Sequence, residues 1–154
     1  MMSLSKRGGF IWKKGKIINM KIERTITPDS KDIDFLTKKI NEETADFGEA
    51  HSFAFFIRDD HNDIIAGCNG SVIYGTIYTD QLWVHPDYRH KGYGRKLMES
   101  VHKYGSEIGC SIATVSTMSF QGATDFYEHL GYGCDFERSG YVSGSSCLFL
   151  RKVL

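Results

Sequence analysis

No run of apolar residues in this 154-residue chain approaches the roughly 20 that a membrane-spanning helix needs. The N-terminal stretch also lacks the long apolar core and cleavage site of a secretory signal. The four cysteines, Cys68, Cys110, Cys134 and Cys147, form no C-x-x-C pair. Neither a zinc knuckle nor a dithiol redox motif is signalled, and reduced thiols in a cytoplasm are the expectation. The six histidines show no H-x-x-x-H or H-E-x-x-H grouping, so no metal is expected. Net charge is lacking as well, but the zero is unevenly built. Residues 1–19 carry Lys6, Arg7, Lys13, Lys14 and Lys16 with no acid, which leaves 14 basic against 19 acidic residues in the remainder. A body with that balance is not a nucleic-acid surface of the usual kind. What is present, 41% apolar and 25% charged residues, suits one globular domain. Met20-Lys21-Ile22-Glu23-Arg24 reads as its start, so a basic extension over 1–19 and a domain over 20–154 are expected.

Along that domain, Ile22 to Ile26 alternates apolar and polar residues as a first strand, and Pro28-Asp29-Ser30 offers a stop and a helix cap. Ile33, Leu36 and Ile40 recur at helical spacing with Phe35 and Phe47 at the edge of the stripe, predicting a first helix that continues into a short second one. Phe53 to Ile57 and Ile64 to Ile73 flank a polar turn and form a hairpin, and Thr76 to Val84 is a third β-prone run in sequence with them. Leu97, Val101, Tyr104 and Ile108 then fall on one helical face, with Met98 beside them. Ser111 to Thr117 is β-prone, Ser119 can cap a helix from Phe120 to Leu130 that Gly131 ends in the left-handed conformation, and 133–138 and 145–150 read as closing strands. The order indicates a mixed α/β sheet domain.

One stretch carries chemistry: Leu82-Trp83-Val84-His85-Pro86-Asp87-Tyr88-Arg89-His90-Lys91-Gly92-Tyr93-Gly94-Arg95-Lys96. A strand stops at a His-Pro break, a basic glycine-containing turn follows, and a helix begins. The first turn of that helix has amide N–H groups without internal partners, Gly92 and Gly94 allow close backbone approach, and Arg89, Lys91, Arg95 and Lys96 add positive charge. That is a seat for a phosphate or pyrophosphate. A Walker loop is disfavoured because no Ser or Thr follows the lysine, and a dinucleotide loop because position 97 is Leu where its third glycine belongs.

The spacing Arg89-x-x-Gly92-x-Gly94 after an apolar strand, followed by Ala123-x-x-Phe126-Tyr127-Glu128-x-x-Gly131-Tyr132, resembles the acyl-CoA-binding core of the GCN5-related N-acetyltransferase superfamily. The resemblance implies a mixed, mostly antiparallel sheet flanked by helices, splayed between its fourth and fifth strands, with acetyl-CoA entering the gap. It implies that Leu82, Trp83 and Val84 pair with the pantetheine arm as an added strand would. His90, Lys91, Gly92, Tyr93 and Gly94 would then hold the pyrophosphate, with Arg89 and Arg95 adding charge. It also implies that Tyr127 is the acid for the departing thiolate, a role that a phenol with a pKa near 10 can fill at neutral pH. The family's usual Asn is replaced by Phe120. The run Thr117-Met118-Ser119-Phe120-Gln121 resembles a bacterial subgroup in which Gln121 or Phe120 lines the arm, and Phe126 flanks it.

No residue declares itself as the base that frees the acceptor amine. Asp80, Glu42, Glu43, Asp46 and His51 are candidates by placement, each against the reading of a solvated surface charge. The function expected is acetyl transfer from acetyl-CoA to an amine of a small molecule or a protein, directly in a ternary complex. The alternative is a non-catalytic acyl-CoA-binding module. Neither a membrane nor nucleic acid is an expected partner, and a homodimer is implied by the resemblance.

Overall fold

The structure is a computed structural model and describes residues 21–154; the expected extension over 1–19 lies outside the described residues. The first helix, α1 (Ser30–Glu43), starts where the sequence places its cap, with the Asp29 side chain accepting from the Lys31 amide. It leads into a 3₁₀ turn at Ala45–Phe47. Three antiparallel strands follow, β1 (His51–Arg58), β2 (Ile64–Ile73) and β3 (Thr76–Val84). Then come α2 (Tyr93–Glu107), β4 (Ile112–Met118), a short α3 (Thr124–Glu128), β5 (Gly133–Ser139) and β6 (Ser146–Val153). The strands form one sheet in the order β1-β2-β3-β4-β6-β5, antiparallel except between β3 and β4.

Two expectations are corrected. Residues 22–26 form no strand, and Ile22 and Ile26 are exposed. Alternation marks a sequence that could pair, but a strand exists only where a neighbour supplies its ladder. The helix expected over 120–130 is broken. Ser119–Gln121 is a 3₁₀ turn, Gly122 takes a left-handed φ of 62°, and α3 begins only at Thr124. Ser119 does not cap it, because its hydroxyl accepts from the Ser146 amide. Gly131 does end the segment with a φ of 88°.

The core lies on one face of the sheet. Phe53, Ala66, Cys68, Val72, Ile77, Val115 and Leu150 pack there against Leu97, Met98 and Val101 of α2 and against Tyr127, Leu130 and Tyr132. Helix α2 comes so close to β3 that a Cβ at Gly105 would stand 2.8 Å from Ile77 Cγ2. Strand alternation puts Ser52, Asn69, Ser71 and Tyr78 on the opposite face. Helix α1 buries none of its residues. It is tied to the chain ahead of β1 by Asn41, whose amide donates to the Ala50 carbonyl and whose oxygen accepts from the Ala50 amide, both at 2.8 Å.

Two features of β3 open the sheet. In the β2–β3 ladder Asn69 faces Gln81 and Gly70 faces Thr79, so Asp80 is an extra residue and the strand bulges there. The parallel pairing to β4 ends just before, at Thr79 and Val115, while β3 runs on to Val84 and β4 to Met118. These are the fourth and fifth strands of the sequence reading, and they splay as expected.

Candidate active site

The His85 amide donates to the Ile65 carbonyl of β2 at 2.8 Å. Successive residues of a strand alternate their N–H and C=O directions, so the backbone of Leu82 and Val84 points the other way, into the opening. The Val84 carbonyl is already held there by Arg89 Nε at 3.0 Å, which locks the basic loop to the strand it follows. The chain then turns through His90 (φ 59°) and Gly92 (φ 85°). Gly92 is the N-cap of α2 and offers no side chain to the first-turn amides, so they are presented to the opening. A Cβ at Gly92 would meet nothing within 4 Å, which shows how open this turn is.

The result is a cleft of about 580 Å³ between the free end of β3, the basic loop, the first turn of α2, and α3. Its walls bring together Leu82, Trp83, Val84, Arg89, His90, Gly92, Tyr93, Gly94, Arg95 and Phe126 from the sequence reading. Five residues of that reading stand elsewhere, among them Lys96, turned over the Tyr93 ring at 5.6 Å, and Phe120, which is exposed. Lys91 is turned over the Tyr88 ring at 5.2 Å. Gln121 is occupied by its own turn, where its Oε1 accepts from Thr117 Oγ1 at 3.0 Å and from the Met118 amide at 2.8 Å. Tyr127 is buried beneath the cleft, its ring 5.0 Å from that of Phe126 and 5.6 Å from that of Tyr132. Burial first, then the neighbouring Cys68 and Tyr78, push the Tyr127 phenol up to about 12. It therefore keeps its proton at any ordinary pH.

The walls also include Tyr88 and Ala123, to which the sequence reading gave no role, and His129, which it did not name. His129 sits three residues after Phe126, the interval that puts two helical side chains on one face. Tyr88 lies inside the basic stretch and joins an edge-to-face series with Trp83, His85 and Tyr93 at ring separations of 5.7–6.1 Å. The candidate bases divide. Asp80 is on the bulge at the root of the opening. His51 is at the other end of β1 and bonds Tyr104 Oη at 3.0 Å, while Glu42 pairs with Lys39 on α1 at 2.6 Å. Glu43 at the end of α1 and Asp46 in the 3₁₀ turn after it are both exposed.

The cleft has what a long, phosphate-bearing acyl carrier needs. It has backbone for an extended arm, helix N–H groups for a pyrophosphate, and a glycine where a side chain would intrude. At Gly94 a Cβ would already lie 3.4 Å from Phe126 Cζ and 3.7 Å from Val84 Cγ2. Comparison with known proteins agrees. Blasticidin-S acetyltransferase of Streptomyces morookaense is 28% identical over 103 residues, which is 66% of this chain and 75% of that protein. An acetyltransferase of Bacillus cereus shares the fold with a TM-score of 0.66 at 21% identity, covering 86% of this chain and 98% of that one. A Bacillus anthracis structure in complex with acetyl coenzyme A shares it with a TM-score of 0.56 at 19% identity, covering 61% of this chain and 58% of that one. The sequence profile of the acetyltransferase (GNAT) family matches residues 20–132. With that match over most of its length, the chain belongs to the GNAT family of acetyltransferases, enzymes that take an acetyl group from acetyl-CoA and pass it to an amine.

Proposed function

We propose that the cleft between β3 and α2 seats acetyl-CoA and that Tyr127 is the acid that protonates its departing sulfur. The observation that carries this reading is the continuity of the opening. Beyond the end of the β4 ladder the backbone of Leu82 and the Val84 amide, with the Val84 carbonyl held by Arg89, lead to the first-turn amides of α2. In this arrangement Leu82 and Val84 bind an extended arm by backbone hydrogen bonds, and the loop from His90 to Arg95, with Arg89, neutralises a pyrophosphate. Tyr127 lies under the root of the opening, protonated and shielded from water, so its proton is available when negative charge develops on a leaving sulfur. Transfer is direct, from thioester to amine, and needs no cysteine nucleophile; burial pushes the Cys68 thiol up to about 11, which suits packing and not attack.

The acceptor in this reading is a small-molecule amine, supported by the identity to blasticidin-S acetyltransferase. A cytoplasmic setting is supported by the four free cysteines, and a homodimer by the fully exposed edge strand β5. Among the described residues no helix is long and apolar enough to cross a membrane.

Thermal unfolding with acetyl-CoA, CoA, ATP and NAD at equal concentration tests the seat. Acetyl-CoA and CoA should raise the midpoint by several degrees at about 100 times their dissociation constant. ATP or NAD acting alone would reassign the loop. For the acid, Tyr127→Phe should lower kcat about 100-fold or more while leaving CoA affinity within about twofold. An unchanged kcat would reduce Tyr127 to a packing residue.

A further inference from the structure

Helix α1 is amphipathic, yet it buries none of its residues. Ile33, Leu36 and Ile40 share one face at i, i+3 and i+7, each about half exposed, and Phe47 in the 3₁₀ turn beyond is more exposed still. The hydrogen bonds that hold the helix to the chain around it are the two between Asn41 and Ala50 and one that Tyr74 Oη donates to Thr44 Oγ1 at 3.0 Å. A helix of 14 residues is marginal in water unless its apolar face is packed against something. The stripe on α1 calls for a cover.

The charges around the stripe select the kind of cover. Residues 29–49 hold seven carboxylates against three lysines, and one of those lysines, Lys39, is already paired with Glu42. A groove of about 650 Å³ runs along α1 and adjoins the stripe at Ile33; Asp34, Glu42 and Glu49 line it with Lys38. Asp32 and Glu43 stand in the same helical row as Leu36, at i−4 and i+7 from it. An occupant that satisfies both features is apolar and cationic at once.

This chain has such a stretch outside the described residues. Ile11-Trp12-Lys13-Lys14-Gly15-Lys16-Ile17-Ile18 combines four large apolar side chains with three lysines, and residues 1–19 hold five basic residues and no acid. Eleven residues, 19–29, join it to α1. Extended, they span up to about 36 Å, against about 21 Å for the length of the helix. The stretch can therefore reach every part of the stripe. A tether that short holds it at an effective concentration on the order of millimolar, so even weak contacts suffice.

We propose that residues 11–18 dock on α1 of their own chain, with Trp12 and the isoleucines on the stripe and the lysines against the carboxylates beside it. The contact is apolar at its centre and charged at its rim, so salt weakens it without abolishing it. The uneven charge of this net-neutral chain then has a structural role, because the basic and acidic segments that adjoin in sequence cover one another.

Hydrogen exchange on the full chain tests the dock, read in peptides from α1 and, as a control, from α2. Trp12→Ser keeps every charge; it should speed exchange across residues 30–43 about 10-fold or more and leave 93–107 within about twofold. Lys13→Glu, Lys14→Glu and Lys16→Glu together keep the apolar residues and should speed exchange in α1 about fivefold or more. Adding Asp34→Lys and Glu49→Lys to that variant should slow it again about threefold, a rescue that only contact between the two segments produces. Rates in α1 within about twofold of wild type in both arm variants would overturn the dock. Protection lost on about hundredfold dilution would overturn it too, by making the cover a second copy. So would protection that appears only with phosphatidylserine vesicles, which would make the cover a lipid surface.

Discussion

Strand β3 has two halves that meet different fates. From Thr76 to Thr79 it is bonded on both sides, to β2 and β4, and Ile77 and Thr79 are almost wholly buried. From Leu82 to Val84 it keeps β2 but loses β4, and Trp83 is 46% exposed. The change happens across one inserted residue, Asp80. Without it, alternation would turn Leu82 and Val84 to the uncovered face and their peptide groups toward β2. The bulge thus resets the face while the ending of the β4 ladder frees the backbone. The closed half supports the fold and the open half is available to a ligand.

The sharpest way to break this contrast is to strike the closed half. Ile77→Ala removes a fully buried side chain that rests against Gly105 of α2, and a loss of about 3–4 kcal/mol is expected in denaturant unfolding. Acetyl-CoA affinity of the protein that remains folded should be unchanged. A large loss of affinity with small loss of stability would mean that the halves are not separable.

Gly94→Leu strikes the open half with the opposite signature. Gly94 is a helical residue whose added Cβ would touch Phe126 and Val84, so the rest of a leucine has only the cleft to occupy. Stability should hold or rise by up to ~1 kcal/mol, because leucine is the better helix former. Affinity for acetyl-CoA, measured by calorimetry, should fall about 100-fold, which corresponds to ~2.7 kcal/mol.

Two helices show how far the sequence could be read. The stripes Ile33-Leu36-Ile40 and Leu97-Val101-Tyr104 have the same period, and both predicted helices exist as α1 and α2. Only α2 buries its stripe; Ile33, Leu36 and Ile40 are about half exposed. Period fixes which residues share a face, not what covers that face. The same limit explains Ile22 to Ile26, whose alternation found no partner among the described residues. The loop from Arg89 to Arg95 was legible because glycines, basic residues and a helix start are local in sequence. The bridge from Tyr78 to Ser116 was not, because it joins residues 38 apart that meet only where two strands part. The turn around Gln121 was not legible for the converse reason: its Oε1 accepts from Thr117 and Met118 within the same short segment, a local pattern that spacing alone does not announce.

Acid gives the gentlest probe of the core that backs the closed half. His102 of α2 bonds Tyr132 Oη at 2.9 Å, joining the helix to the segment after α3. Burial first, then the nearby Lys152, lower its imidazole from 6.5 to about 4. The unfolded chain takes up a proton near pH 6.5, whereas the folded chain does not until about pH 4, so the unfolded state holds more protons between them. Stability from this site is therefore complete above pH 6.5 and is lost as pH falls toward 4. With partial solvent access, the loss should be on the order of 1–2 kcal/mol. His102→Gln keeps a donor for Tyr132 and removes the titration. Unfolding midpoints measured from pH 7 to 4 should fall less steeply in the variant than in wild type. Equal slopes would show that acid acts on the core through other groups.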